Sequence, residues 1–192
     1  DMVGTILNHL YNGGKVDYIE ISKISQYAEN VHFGKPCGLM DQIACAAGGF
    51  VTIDFEDPKA PTARRIDFDL SAKGYSLCIV NTGGSHANLT DDYAAVPAEM
   101  KAVAEFFGKP VLRGISEKTI VENTAALRKK LGDRAVLRAL HFIRENGRVE
   151  RMLDALEKED MTTFLAIIKE SGNSSATLLQ NYFTTKAPAE QG

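Results

Sequence analysis

The sequence predicts an α+β fold, with helices first, strands in the middle and helices again to the end. Apolar residues recur at helical spacing before residue 31, three strand-like segments lie between residues 50 and 81, and helical patterns return from residue 90. The 192 residues are 44% hydrophobic and 24% charged, so the chain can bury a sizeable core.

The first two elements are predicted to be helices. Residues 2–11 place apolar side chains on one face, and the Asn12-Gly13-Gly14 segment supplies the turn that ends this helix. Residues 17–30 repeat apolar residues at helical spacing and form the second helix. Pro36 disfavours helix at the residue before it, so we expect the second helix to end upstream of this proline.

Three strand candidates come next, and helices follow them. Residues 50–55 and 64–70 are the first two strands, and residues 76–81 form a nearly continuous apolar run, which is typical of a buried strand. Thr90 is predicted to cap the next helix. The predicted helices after the strands cover residues 90–107, 116–130, 133–157 and 160–171, with a short one near 174–183.

Composition and charge exclude several functional classes. The net charge of −3 argues against nucleic acid or an anionic membrane as a partner, because both need a basic face on the protein. No run approaches the roughly 18 apolar residues that a membrane span requires. Three cysteines without a Cys-x-x-Cys pair indicate a reducing compartment, and the histidines show no zinc-ligand spacing.

The segment from Cys37 to Gln42 is the most informative part of the chain. A helix can start near Gly38 and carry Asp41 in its first turn, where the backbone dipoles favour an ionised carboxylate. The small residues that follow allow this helix to pack closely, which fixes the direction of the carboxylate. Asp41 is therefore either an electrostatic partner of the helix end or the acidic residue of a site.

Glu29 lies near the end of the second helix, where the dipole disfavours negative charge. Such a carboxylate can have a compensating partner, for example a divalent cation, or can be solvated on an exposed helix face. Residues 81–86 leave the third strand candidate as a glycine-containing loop, a common place for sites. Tyr93 in the following helix contacts a ligand or begins that helix's core stripe.

Residues 138–149 are polar for a bundle helix, which indicates buried hydrogen bonds that fix helix packing. Neither a Gly-x-x-x-x-Gly-Lys-Ser/Thr nor a Gly-x-Gly-x-x-Gly phosphate loop occurs in the chain.

Four segments, taken together and in this order, resemble the galactokinases of the GHMP small-molecule kinase superfamily. The family's Cys-Gly-x-Met-Asp-Gln segment is matched by residues 37–42, and the Ala-Glu that precedes its cysteine by eight residues is matched by Ala28-Glu29. Its Asn-Ser/Thr…His…Leu…Glu/Asp-Tyr pattern corresponds to residues 81–93, and its Arg-Ala-x-His-x-x-x-Glu-Asn-x-Arg-Val segment to residues 138–149. The Met-Asp-Gln and Arg-Ala-x-His segments are specific in combination.

This resemblance implies a role for each candidate residue. Asp41 is then the catalytic carboxylate that faces the anomeric hydroxyl of the sugar, Gly38 and Tyr93 contact the sugar, and Glu29 helps to hold magnesium. The implied cofactors are ATP and Mg²⁺, and the implied reaction is phosphorylation of galactose to galactose 1-phosphate in the cytoplasm. Phosphoryl transfer through a loose transition state needs positioning and charge neutralisation more than a strong base, which agrees with a carboxylate at a helix start.

The resemblance also implies a place within a longer kinase. The family's Arg-x-Asn…Gly-Glu-His sugar segment, its Gly-Leu-Ser-Ser-Ser phosphate loop and its C-terminal Gly-rich segment have no match in this sequence. We therefore expect a central-to-C-terminal, GHMP-kinase-like fragment with two incomplete domains. Residues 1–72 are the remainder of the N-terminal domain, and residues 73–192 are part of a helix-rich, ferredoxin-like C-terminal domain. No nucleotide-binding residue is expected within the chain, and no kinase turnover by the chain alone.

Two other functions stay open. The family follows its tyrosine with two arginines where this chain has Ala94 and Ala95, so a kinase for arabinose, fucose or a uronic acid is an alternative to one for galactose. The second alternative is a non-catalytic sugar sensor on the same fold. In each kinase interpretation the partners are a small sugar and ATP, with neither nucleic acid nor a membrane.

Overall fold

A computed structural model describes residues 1–34, 37–81 and 89–182 of the protein. The chain divides into two compact units, Asp1–Ser76 and Leu77–Gly192. Across the described ranges the protein is mostly helical with one small two-stranded sheet, which confirms the predicted α+β class. The assignment of residues 1–72 and 73–192 to two domains of the kinase family stays a prediction.

The first unit combines three helices with an antiparallel pair of strands. The helices are α1 (Met2–Asn12), α2 (Tyr18–Tyr27) and α3 (Met40–Ala47), and a π-helical turn (Ala28–His32) extends α2. The strands are β1 (Phe50–Asp54) and β2 (Thr62–Ile66), and a 3₁₀ turn (Ser71–Lys73) follows them. Helix α2 packs against both α1 and α3, and Phe50 of β1 pairs with Ile66 of β2.

Local sequence signals explain where the first helices begin and end. Asp17 caps α2, because its Oδ1 accepts a hydrogen bond from the Glu20 backbone N–H at 2.9 Å. Gly13 ends α1 in the left-handed conformation, with φ of 61°, which glycine adopts without steric cost. Asn8 then ties the following turn to α1 through two hydrogen bonds between its side chain and the Val16 backbone.

A small core holds α3 in place. Ile43 of α3 is fully buried, and Leu39 just before α3 and Ile21 of α2 are nearly so. The Tyr18 hydroxyl donates to the Ala63 carbonyl at 3.2 Å and so ties α2 to β2. The apolar face of α1 is exposed within this unit, with Leu10 70% accessible.

The second unit is helical in its described part. Its helices are α4 (Thr90–Phe106), α5 (Glu117–Glu122), α6 (Thr124–Leu131), α7 (Asp133–Glu157) and α8 (Met161–Ser174), and a π-helical turn (Ser175–Leu179) closes the series. Helix α7 packs against the other four and against this turn. Its core contains the buried residues Val103, Ala104, Leu112, Ile115, Ile120, Leu127, Ala135, Val136 and Ala139. The described part of the unit holds no strand, and a ferredoxin-like arrangement stays a prediction.

The predicted strand over residues 76–81 is wrong. This segment has no regular secondary structure, and Leu77, Ile79 and Val80 are 86%, 95% and 78% exposed. A continuous apolar strand is stable only between neighbouring strands and under covering layers, whereas the described sheet consists of β1 and β2 alone. The apolar run predicts burial, but the described residues contain no partner strand to provide it.

Smaller differences concern element boundaries. The strand predicted at 64–70 runs from Thr62 to Ile66, and Phe68 lies beyond it with its ring edge-on to that of Phe50. Leu89, not Thr90, is the N-cap of α4, because the chain enters the helix one residue earlier than predicted. Helix α7 matches the predicted 133–157 and continues through Gly147. The described ranges contain no helix with the length and hydrophobicity of a membrane-spanning segment.

Candidate functional site

Asp41 lies in the first turn of α3, as predicted. Its side chain is exposed, and the carboxylate makes no hydrogen bond or ion pair within the described residues. A carboxylate without such partners keeps all of its acceptor positions available. The start of α3 therefore presents a carboxylate that is able to accept a hydrogen bond from a hydroxyl group.

Packing of the α3 start decides the direction of Asp41. Leu39, Gln42 and Ile43 are buried, whereas Met40 and Asp41 face outward. Since successive helical residues point in different directions around the axis, burying one flank turns the other toward solvent. The apolar anchor of the helix thus fixes the acidic group at the surface.

Glu29, Cys37 and Gln42 form one hydrogen-bonded group, here named the Glu29 cluster. The Gln42 amide Nε2 donates to Glu29 Oε2 at 2.7 Å, and the Cys37 thiol donates to the same oxygen at 3.1 Å. Glu29 lies in the π-helical turn after α2, and Gln42 is 9% exposed. A carboxylate at a helix end is expected to have a compensating partner. For Glu29, the Gln42 amide and the Cys37 thiol supply at least part of that compensation.

The loop before α3 is fixed to the second helix by its backbone. The Cys37 backbone N–H donates to Asn30 Oδ1 at 2.8 Å, and Gln26 Nε2 donates to the Cys37 carbonyl at 3.1 Å. Asn30 Nδ2 adds a longer bond of 3.4 Å to the same carbonyl. Both main-chain groups of Cys37 are therefore held from the α2 side. Lys35 and Pro36, which precede this residue, lie outside the described residues.

Sequence reasoning identified Glu29 but missed Gln42, Asn30 and Gln26. The only signal for Gln42 is its place on the buried flank of α3, between Leu39 and Ile43. A polar residue on such a flank needs a hydrogen-bonding partner, which points to a second element. Nothing in the sequence names Glu29 as that partner, because the two residues are 13 positions apart.

Oxygen donors in the Glu29 cluster fit a hard cation in part. No group of three His, Cys, Asp or Glu side chains able to hold a metal occurs in the described part of the chain. Magnesium, however, commonly uses one or two carboxylates together with substrate phosphates and water. Glu29 offers one carboxylate, and the buried Gln42 Oε1 has no hydrogen-bond partner within the described residues. An orphaned buried oxygen beside a carboxylate is what a cation site would satisfy.

Gly38 is exposed just before α3, and a Cβ built on it meets no described atom within 4 Å. Packing within the described residues therefore does not require glycine at this position. A missing side chain on an open surface beside Asp41 allows a ligand to approach the backbone closely.

Tyr93 belongs to the second unit, whereas Glu29, Gly38 and Asp41 belong to the first. Its ring lies in the early part of α4 and is 60% exposed, so the alternative that Tyr93 begins the core stripe of this helix is wrong. Residues 82–88, which include His86 and most of the predicted loop before this helix, lie outside the described residues.

The polar segment 138–149 fixes helix packing, as predicted. Arg138 is 3% exposed and donates to Glu99 Oε2 and to the Leu179 carbonyl, each at 3.0 Å. His141 Nδ1 lies 2.9 Å from Ser174 Oγ, with both residues buried. Burial lowers the pKa of His141, and the nearby Glu145 carboxylate opposes this shift.

Comparisons with known proteins agree with the matched segments. Residues 2–49 match the family described as GHMP kinases N terminal domain. The chain is 34% identical to the galactokinase of Glaesserella parasuis serovar 5 (strain SH0165) over 164 residues, which is 83% of this chain and 40% of that protein. The galactokinase of Streptomyces coelicolor (strain ATCC BAA-471 / A3(2) / M145) is 34% identical over 169 residues, 85% of this chain and 42% of its own length.

A third relative, the galactokinase of Clostridium tetani (strain Massachusetts / E88), is 29% identical over 171 residues, covering 88% of this chain and 43% of that protein. The chain thus spans well under half the length of each of these relatives. The matches confirm the predicted resemblance to galactokinases of the GHMP kinase superfamily.

Proposed function

We propose that this chain, which resembles galactokinases over most of its length, is part of an ATP-dependent galactokinase. The reaction transfers the terminal phosphoryl group of ATP to the anomeric hydroxyl of galactose and gives galactose 1-phosphate. The observation that carries the proposal is the exposed Asp41 carboxylate in the first turn of α3, within the segment that matches the family's Cys-Gly-x-Met-Asp-Gln pattern.

Asp41 is the catalytic carboxylate in this proposal. It orients the sugar hydroxyl and accepts its proton late in the transfer, which a carboxylate can do without being a strong base. Its freedom from other partners in the described structure supports this role, since no hydrogen bond must break before the hydroxyl binds. Burial of Ile43 and Leu39 holds the helix that carries it, and thus supplies the positioning that phosphoryl transfer needs.

Gly38 and Tyr93 contact the sugar in this proposal. The open surface at Gly38 supports an approach of the sugar to the backbone next to Asp41. The exposed ring and hydroxyl of Tyr93 supply an apolar face and a polar group, a combination that suits sugar binding.

Glu29 holds magnesium in this proposal, with the buried Gln42 Oε1 as a further oxygen nearby. When bound with ATP, the ion would neutralise charge on the phosphates. At the level of the whole protein, we place the enzyme in the cytoplasm and assign the helix-rich unit to a ferredoxin-like C-terminal domain of the kinase.

The test is galactose phosphorylation by the full-length protein at saturating ATP and magnesium, comparing wild type with Asp41→Ala. Loss of turnover by about 10²–10⁴-fold, with galactose binding retained, would support the proposal. Asp67→Ala is the matched control, because Asp67 is exposed and lies just after β2. A wild-type protein that phosphorylates arabinose, fucose or a uronic acid instead would change the substrate. If the wild-type protein binds sugar without turnover, the sensor interpretation replaces the kinase interpretation.

A further inference from the structure

In the Glu29 cluster, two side chains from other elements donate hydrogen bonds to one carboxylate. One carboxylate oxygen, Glu29 Oε2, accepts from the Gln42 amide at 2.7 Å and from the Cys37 thiol at 3.1 Å. The same amide lies 3.5 Å from the Cys37 sulfur, so the three side chains are mutually in contact. The donors come from the loop before α3 and from α3 itself, and the acceptor comes from the turn after α2.

Two donors on one oxygen fix the plane of a carboxylate. A hydrogen bond restrains the acceptor's direction, and two from different elements restrain its rotation about the side-chain torsions. Gln42 has little freedom of its own, because it is 9% exposed and lies beside the fully buried Ile43. The orientation of Glu29 therefore depends on the packing of α3.

We propose that Gln42 and Cys37 are positioning residues that orient the Glu29 carboxylate toward a magnesium–nucleotide complex. This inference rests on the proposed function. It assigns roles to two residues of the matched segment, Cys37 and Gln42, that have none in the proposed reaction. Carboxylates that hold metals are themselves hydrogen-bonded by outer residues, and loss of such residues costs about 10–100-fold in metal affinity or activity. Gln42 also adjoins Asp41 in the chain, so one helix start carries both the proposed catalytic group and the proposed support of the cation ligand.

The first measurement is the affinity of the full-length protein for Mn²⁺ in the presence of ADP. Electron paramagnetic resonance detects the bound Mn²⁺, and no turnover occurs under these conditions. Gln42→Met keeps a side chain of similar length but removes the donor to Glu29. We expect it to weaken Mn²⁺ binding by about 10–100-fold. In the kinase assay, the half-saturating magnesium concentration should rise by a similar factor, while the rate recovers at high magnesium.

Cys37 offers a matched pair. Cys37→Ala removes the second donor and should also weaken Mn²⁺ binding, whereas Cys37→Ser keeps an O–H donor and should retain more of it. This pair decides the matter if Gln42→Met does not fold. Equal losses in the alanine and serine variants would contradict a donor role for this residue.

Gln26→Met separates orientation of Glu29 from general packing. Gln26 donates to the Cys37 carbonyl at 3.1 Å and not to Glu29, so its loss loosens the loop without removing a donor from the carboxylate. We expect a smaller loss of Mn²⁺ affinity in this variant than in Gln42→Met. If Gln26→Met and Gln42→Met weaken binding equally, the cluster is purely structural and the inference is overturned.

The two proposals fail in distinguishable ways. If folded Gln42→Met phosphorylates galactose at the wild-type rate and needs no more magnesium than wild type, the positioning roles are overturned. The proposed function then remains intact. Absence of sugar phosphorylation by wild type would overturn the proposed function. If wild type phosphorylates no sugar but its Mn²⁺ affinity still falls in Gln42→Met, the orienting role of Gln42 stands, and the bound metal–nucleotide complex serves another reaction.

Discussion

Asp41 and Gln42 are consecutive residues with opposite surroundings. The Asp41 side chain is exposed, whereas Gln42 is buried and donates to Glu29 Oε2 at 2.7 Å. Because successive residues of a helix point about 100° apart, a single turn can present a carboxylate to solvent and an amide to the interior. The start of α3 therefore places the proposed catalytic group next to the residue that donates a hydrogen bond to the proposed cation ligand, Glu29.

Substitution of Asp41 should separate activity from stability. Asp41→Asn should change the free energy of unfolding by no more than about 0.5 kcal/mol, because the side chain is exposed and makes no bond within the described residues. Gln42→Met, as the buried counterpart, should destabilise the first unit by about 1–3 kcal/mol, because it removes the hydrogen bond from the Gln42 amide to the Glu29 carboxylate. Hydrogen exchange of the α3 amides measures both. A large loss in Asp41→Asn would show that Asp41 has a structural partner.

Ile43 should be the apolar anchor of the site. Ile43→Ala removes a fully buried side chain and should destabilise α3 by about 2–4 kcal/mol, because a cavity replaces the lost contacts. Met40→Ala, on the exposed flank of the same helix, is the control and should have little effect. The measurement is again exchange of the α3 amides. Equal effects of the two substitutions would contradict the buried and exposed flanks described above.

Glu99 should be needed to balance the buried Arg138. The carboxylate pairs with Arg138 Nη1 at 3.0 Å, and the arginine is 3% exposed, so Glu99→Ala should destabilise the second unit by about 3 kcal/mol. The exposed pair of Arg151 with Glu170 is the comparison, and Glu170→Ala should cost clearly less than Glu99→Ala, because solvent screens the exposed pair. Urea unfolding followed by circular dichroism measures both variants. A smaller cost for Glu99→Ala than for Glu170→Ala would contradict this account.

Stability of the second unit should fall in mild acid through His141. Burial lowers the pKa of this histidine below 6.5, so the unfolded chain binds its proton at a higher pH than the folded chain does. The stabilisation is therefore complete above about pH 6.5 and is lost as the pH falls through the lowered folded-state value. Glu145 and Arg148 face the ring with opposite effects on its pKa, of which the glutamate's upward effect is the larger.

His141→Asn should remove this part of the pH dependence. Urea midpoints at pH 7.5 and pH 5.5, within about one unit of the ordinary histidine pKa, measure it. An unchanged pH slope in His141→Asn would assign the acid sensitivity to other groups.

The 192-residue chain by itself should show no galactokinase turnover. No segment of the sequence matches the family's phosphate loop or its Gly-Glu-His sugar segment, so we expect these residues to provide no cradle for the nucleotide. Release of ADP in the presence of galactose, ATP and magnesium is the measurement, with the full-length protein as the positive control. Turnover by the chain alone, abolished by Asp41→Ala, would show that these residues are sufficient.

Much of the local structure could be predicted from the sequence. The caps and glycines around Asp17 and Gly13 set helix ends, because the interactions that stop a helix involve residues within about four positions. Asp41 could be assigned to a first helical turn for the same reason. The position of the site's acidic residue and the resemblance to galactokinases therefore follow from the sequence.

Tertiary packing decided the rest. The apolar run 76–81 predicts a strand, yet a strand needs a partner that the run itself cannot specify. The pairing of Gln42 with Glu29 and the burial of His141 against Ser174 join residues 13 and 33 positions apart. Spacing along one element carries no information about such pairs, since they form only when separate helices pack. Sequence thus determined which residues stand at the start of α3, and the packing of α2 against α3 decided which of them face solvent and which bind each other.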